Sequence, residues 1–269
     1  MSKGQASDTN YIKFLGTAGA RFVVTTQLRA SGGVWFSLDD INILGDPGPG
    51  SLVRCMSSRP KMNPAKLDAV LLTHRHLDHS GDINIIIEAL TEGGTRKKGI
   101  LFTPKQALEE DPVVLNYVRK FLSKIEILKE GGTYQLNGLN ISAPVRHKHP
   151  VETYGINFKS SLCTISWVID TLFFPELLEH YRGDVMILNT VRLRSENDAD
   201  KGIYHLNLDD VRLMVKELRP KVTILTHFGM KMLKARPHEL AMRLSDETGC
   251  RVVAASDGMR FDLTQLGNN

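Results

Sequence analysis

The segment from Thr73 to Asp82, THRHLDHSGD, places three of the chain's nine histidines and two aspartates within nine positions. His74 and His76 are two apart, so at the end of an extended segment they point to the same side. The turn that follows brings Asp78 and His79 round toward them. Imidazole nitrogen and carboxylate oxygen are the ligands of a borderline divalent cation such as Zn²⁺, at about 2.0–2.2 Å. Two imidazoles alone make a weak site. A cluster this dense can hold two ions if further ligands arrive from elsewhere in the chain.

Those ligands need regular elements to carry them. KLDAVLLTH is a buried strand that stops where the histidines begin, and Asp82 is placed to cap a helix through INIIIEAL. Upstream, YIKFLG, VWFSLDD and INILG read as strands, with Asp39-Asp40 at a turn. Residues 100–160 mix short strands with one helical segment, PKQALEE, interrupted at Pro112 and resumed through VVLNYVRKFL. TYQLNGLNISAPV is a hairpin by its Asn-Gly turn. INFKSS and CTISWVID form a strand pair, and VMILNTV is a buried strand. LDDVRLMVKEL sets Leu208, Val211, Val215 and Leu218 on one helical face. KVTILTHFG is a strand ending in a histidine. PHELAMRLSDETG is a helix with proline at its start and Gly249 as its cap, and RVVAASDGMRF closes the chain as a single strand. Strands first, then strands alternating with helices, suit two packed sheets with helices outside, an α/β (α+β) architecture. The glycines of GTAGA and GDPGPG open no helix on this reading, which speaks against a dinucleotide-binding turn.

The 269 residues are expected to form one domain, 1–269, with a polar tail over 1–10. No repeat or linker divides them. A formal charge of +4 is spread along the chain, and the clusters Arg96-Lys97-Lys98 and Arg192 with Arg194 are short, as solvated surface is. Three cysteines, Cys55, Cys163 and Cys250, show no CxxC spacing, so a reducing compartment fits best. The polar start lacks the apolar core of a signal peptide, and no apolar run of about 18 residues exists. The expected location is the cytoplasm, with no membrane partner.

HxHxDH after an apolar strand resembles the signature of the metallo-β-lactamase superfamily, read here as His74, His76, Asp78 and His79. The resemblance implies a four-layer αββα sandwich with two divalent metal ions, zinc or alternatively manganese or iron, at one edge of the sheets. It also implies a third histidine after a hairpin, an aspartate between the ions, and a last histidine at a strand end. RHKHPVETYG supplies His149, with His147 as the alternative; the P-V-E-T-Y-G run favours His149. SWVIDTLFFP supplies Asp170, in an Ile-Asp-Thr setting where family members usually carry Gly-Asp-Thr. KVTILTHFG supplies His227. The implied sets are His74, His76 and His149 for one ion, and Asp78, His79 and His227 for the other, with Asp170 between them. His180 and His238 lack motif context and are expected at the surface.

HPVETYG further resembles the corresponding segment of ribonuclease Z and of the cyclic phosphodiesterase of phosphonate breakdown. That branch has a histidine about where His205 stands, 22 residues before His227. The resemblance implies a phosphodiesterase using a hydroxide shared by two ions, with Asp78 orienting it and His205 as proton donor. Thr73 and Asp82 are candidates to fix imidazole orientation, and Asp46 of the GDPGPGS loop to support the site without being a ligand. LTEGGTRKKG is too short for an arm that grips tRNA. A small anionic phosphodiester or nucleotide derivative is therefore the expected substrate, and nucleic acid is not favoured. Residues 91–130 are open either to shape the pocket or to form a homodimer contact. The competing readings are hydrolysis of a lactone, ester or thioester on the same ions, a redox-active iron pair, and an inert binding module.

Overall fold

The computed structural model describes residues 10–109, 111–195 and 201–267. Apart from Asn10, the expected polar tail lies outside them. Two sheets face each other. The first runs β15 (Arg260–Asp262), β1 (Tyr11–Phe14), β2 (Val34–Leu38), β3 (Ile41–Gly45), β4 (Ala69–Leu71), β5 (Ile100–Pro104), β6 (Lys124–Leu128). The second runs β14 (Val252–Ala254), β13 (Val222–Thr226), β11 (Val185–Arg192), β10 (Thr164–Val168), β9 (Ile156–Lys159), β8 (Leu139–Ala143), β7 (Gly132–Leu136), with β12 (Leu206–Asn207) beside β11. The first sheet is covered by α2 (Ser51–Ser57), α4 (Ile83–Leu90) and α5 (Asn116–Arg119). The second is covered by α6 (Glu176–His180), α7 (Leu208–Leu218), α8 (Met230–Lys234) and α9 (Pro237–Thr248). Two short helices, α1 (Ala20–Thr25) and α3 (Leu77–Ser80), lie at the sheet edge. The result is the expected αββα sandwich.

Local sequence accounts for most of these elements. Asn137 and Gly138 both take positive φ, 48° and 95°, as a two-residue hairpin turn requires. Asn207 caps α7 through the Asp209 and Asp210 amides, and Asp210 returns a bond to the Asn207 amide. Gly249 ends α9 in the left-handed conformation. Between the sheets, Phe36 packs on Phe158 and Trp167 with ring centroids 4.7 and 5.2 Å apart. Cys55, Cys163 and Cys250 are all buried and free. No helix among the described residues is long and apolar enough to cross a membrane.

Three sequence expectations are corrected. The helical segment after residue 104 is reduced to a 3-10 turn at Lys105–Ala107 and the short α5. Side chains satisfy the intervening backbone instead: Asn84 bonds both the Val113 carbonyl and the Leu115 amide, and Arg119 bonds the Leu108 and Val114 carbonyls. RVVAASDGMRF is two strands in different sheets, not one. The Asp257 carboxylate accepts from Thr17 and Ala30 amides and draws the chain across to the first sheet. The glycine segments GTAGA and GDPGPG do open helices, α1 after Gly19 and α2 after Gly50. These helices span only six and seven residues.

The pairing that positions the site is parallel. In the first sheet β3 through β6 run parallel, and in the second β10, β11, β13 and β14 do. The carboxyl ends of β3, β4, β10 and β13 deliver Asp46, His74, Asp170 and His227 to one edge of the sandwich.

A shared inter-sheet core argues for one folding unit. Phe36→Ala should lower stability by about 3–5 kcal/mol, in a single denaturant transition that circular dichroism and tryptophan fluorescence report alike. Separate transitions for the two probes would contradict a single domain.

Candidate metal centre

The sequence-derived residues converge in two groups. His74, His76 and His149 form one, and Asp78, His79, Asp170 and His227 the other, with the potential ligand atoms of each group within 4.8 Å of one another. His149 Nε2 lies 3.1 Å from His76 Nδ1. In the second group His79 Nε2 and His227 Nε2 lie 3.5 and 3.4 Å from Asp78 Oδ2, and His79 Nε2 is 3.4 Å from Asp170 Oδ2. His74 Nε2 is 3.9 Å from the same Asp170 oxygen, so Asp170 faces both groups. Ligand atoms at the corners of a tetrahedron with bonds of about 2.0–2.1 Å stand about 3.3 Å apart. The observed spacings fit that figure closely.

Buried atoms without partners make the same point. His74 Nε2, His79 Nε2, both ring nitrogens of His227 and His205 Nδ1 are buried with no hydrogen-bond partner among the described residues. Each such atom costs about 1–3 kcal/mol if left unsatisfied. Several of them aimed at common points, together with carboxylates, form donor sets that could hold metal ions. The donor set, imidazole and carboxylate without thiolate, suits zinc, manganese or iron.

At His74, His79 and His149 the opposite ring nitrogen meets a protein group, which fixes which atom faces inward. His74 Nδ1 lies 3.1 Å from Thr73 Oγ1, and His79 Nδ1 lies 2.8 Å from Asp46 Oδ2. Asp46 also accepts from the Thr73 amide and hydroxyl, both at 2.7 Å. It could join His74 and His79 as a third ligand group, but these bonds give it a supporting part. His149 Nδ1 meets the Tyr204 carbonyl at 3.1 Å. The loop that carries His149 is pinned to the loop after Asp170, since the Lys148 amide donates to Thr171 Oγ1 and the Leu172 amide to the Lys148 carbonyl.

His227 ends β13 in the left-handed region, with φ of 60°. A non-glycine residue there costs roughly 1–2 kcal/mol. The strain is held by the segment before α1: the Phe228 amide donates to the Thr17 carbonyl and the Gly19 amide to the Phe228 carbonyl. A Cβ on Gly19 would stand 2.2 Å from the His227 carbonyl oxygen, so only glycine fits. Gly48 approaches Asp78 just as closely, at 2.0 Å for a Cβ against its carbonyl oxygen.

The charge balance is uneven. Burial, with His79 nearby, drives His74 well below the usual histidine range, and burial takes His149 down to about 4. Burial acts the same way on His79 but is overcome by the carboxylates of Asp78, Asp46 and Asp170, which hold it well above that range. Burial opposes the ionised form of Asp78 and Asp170 as well. His79 and His227 overcome it at Asp78, and His227 and His205 at Asp170, so both carboxyls stay well below the usual range. Without a cation the second group keeps its charge balance by holding a proton on His79.

Other expected residues fall elsewhere. Asp82 orients no imidazole; its carboxylate accepts from the Leu52 amide and anchors α2. His147 is buried and paired with the Tyr181 hydroxyl at 2.8 Å, and belongs to neither group. His180 and His238 are exposed. His205 stands at the edge of the cluster, with Nδ1 3.6 Å from Asp170 Oδ1. The sequence reading passed over Asn189, whose side chain donates to Asp170 Oδ1 at 2.9 Å. A lone amide in the apolar run VMILNTV was the available signal.

Comparison with known proteins agrees with this geometry. A family model described as the β-lactamase superfamily domain matches residues 41–228. The chain is 32% identical to the protein MJ1374 of Methanocaldococcus jannaschii over 260 residues, covering 94% of each. Its fold is shared with the metallo-β-lactamase fold protein YhfI from Bacillus subtilis, with a TM-score of 0.76 at 19% identity over 94% of this chain and 99% of that one. A diphosphatase of the PhnP family superposes with a TM-score of 0.67 at 20% identity over 93% and 96%. The two structures speak for the fold alone, but the family model spans most of the chain. The chain therefore belongs to the β-lactamase superfamily, as a metallohydrolase with two converging ligand groups.

Proposed function

We propose that the protein is a phosphodiesterase acting on a small phosphodiester or nucleotide derivative. The observation that carries this reading is His205. Its Nδ1 is buried against Asp170, while its side chain is 18% exposed, so the ring reaches from the ligand cluster to the outside. β12 pairs with β11 immediately after His205 and holds it there.

His74, His76 and His149 would hold one divalent ion, and Asp78, His79 and His227 the other, with Asp170 between them. Two bound cations supply Lewis acidity toward a phosphoryl oxygen and lower the pKa of a bound water. The remaining work falls to side chains. Asp78 is 22% exposed against 2% for Asp170 and 5% for Asp46, which leaves it the carboxylate within reach of an attacking water. His205 would give a proton to the leaving oxygen, with its Nδ1 turned toward Asp170 Oδ1 at 3.6 Å. The PhnP-family relative is a diphosphatase, which favours phosphoryl chemistry on this fold. A long RNA is a poorer match. Of the basic run at 96–98, Arg96 pairs with Glu92 and Lys98 bonds the Ala65 carbonyl, so two of its charges are spent locally. Leu77, 72% exposed between His76 and Asp78, would suit an acyl group and keeps ester, lactone and thioester hydrolysis as the second reading.

A substrate series separates the two. His205→Ala should reduce kcat on bis-p-nitrophenyl phosphate by about 10²–10⁴-fold, with two ions still bound. Activity on a lactone or thioester that exceeds the phosphodiester rate and survives this change would favour the second reading.

Metal uptake should also release protons unequally. His74 and His149 are already neutral at pH 7, whereas filling the second group must expel the proton held on His79. A site that displaces one proton weakens about tenfold for each pH unit below that group's pKa. The second ion should therefore weaken steadily as pH falls, while the first holds until His149 titrates near pH 4. Calorimetry in buffers of different ionisation enthalpy should count more protons released by the second ion than by the first. Equal release would contradict this charge assignment.

A further inference from the structure

Strands β10, β11 and β13 lie side by side and parallel, with Val168 level with Leu188 and Asn189 level with Thr226. Just past that row the two outer strands deliver Asp170 and His227. The middle strand delivers Asn189, which is 3% exposed and donates through Nδ2 to Asp170 Oδ1 at 2.9 Å. The two oxygens of Asp170 consequently have different surroundings. Oδ2 faces His79 Nε2 at 3.4 Å and His74 Nε2 at 3.9 Å, one imidazole from each ligand group. Oδ1 takes the Asn189 amide and faces the Nδ1 atoms of His227 and His205 at 3.3 and 3.6 Å.

We propose that Asn189 is the positioning residue of the shared carboxylate: by holding Oδ1 it leaves Oδ2 as the one oxygen presented to both ions. The residue type follows from its place. A carboxylate at position 189 would set two negative groups against each other at hydrogen-bond distance, and an apolar residue of the same size would let the Asp170 carboxyl group turn. A neutral donor both fixes the rotation and adds no charge to a buried site that already holds Asp46, Asp78 and Asp170. The inference rests on the two-ion reading of the site.

The experiment compares metal-stripped wild type, Asn189→Leu and Asn189→Asp. Each is titrated with Mn²⁺ against a chromophoric chelator and followed by electron paramagnetic resonance, with folding checked by circular dichroism. The wild type should take two ions and show an exchange-coupled manganese pair. Asn189→Leu should bind the first ion as wild type does, bind the second 10- to 100-fold more weakly, and lose or alter the coupled signal. Asn189→Asp keeps the shape and exchanges the donor for an acceptor, so its coupled signal should change whether or not the leucine variant folds. A wild-type coupled signal in either folded variant would overturn the proposal, as would equal loss of both ions in Asn189→Leu. Wild type that takes up fewer than two ions would instead overturn the two-ion reading itself.

Discussion

Burial of imidazole nitrogens and carboxylates without enough protons between them is the constraint on which this structure turns. His74 Nε2, His79 Nε2 and both His227 nitrogens are enclosed with no hydrogen-bond partner among the described residues, and Asp170 is nearly inaccessible among them. A protein does not leave such groups facing one another unless a positive charge satisfies them. A proton on His79 meets part of that demand, and divalent ions meet it fully. The fold then reads as the apparatus that keeps these groups together against their mutual cost.

That apparatus has two layers. The sheets supply the first, because parallel strands in both bring their carboxyl ends to one edge, where Asp46, His74, Asp170 and His227 emerge. The second is a ring of neutral or acidic partners that fix orientation: Asp46 and Thr73 behind His79 and His74, the Tyr204 carbonyl behind His149, and Asn189 behind Asp170. Strain is confined to where it serves the site. His227 takes a left-handed backbone, and the segment carrying Thr17 and Gly19 closes over it. That segment is in turn held by Asp257, which accepts from the Thr17 amide and hydroxyl and from the Ala30 amide. A turn near the end of the chain thereby braces a ligand near the catalytic edge.

Much of this was legible in the residues. HxHxDH after an apolar strand announced the cluster, and the order His149, Asp170, His227 at strand ends followed from the family resemblance. The sandwich followed from the alternation of elements. What was not legible depended on tertiary partners. The helix expected after residue 104 dissolved because Asn84, outside that stretch, and Arg119, near its far end, take its backbone groups. The last strand divided because Asp257 binds residues more than 220 positions away. Asp82 looked like a neighbour of the histidines, yet its side chain turns to Leu52. Asn189 was visible only as an oddity in an apolar strand, since nothing local says which carboxylate it will meet.

Seven side chains divide into two potential ligand groups, with Asp170 facing both. Anomalous diffraction at the metal edge, on crystals grown with zinc or manganese and matched to metal content in solution, tests that division most directly. Two peaks per chain are expected, one bounded by His74, His76 and His149, the other by Asp78, His79 and His227, with Asp170 touching both. A single peak, or ions held by other residues, would contradict it.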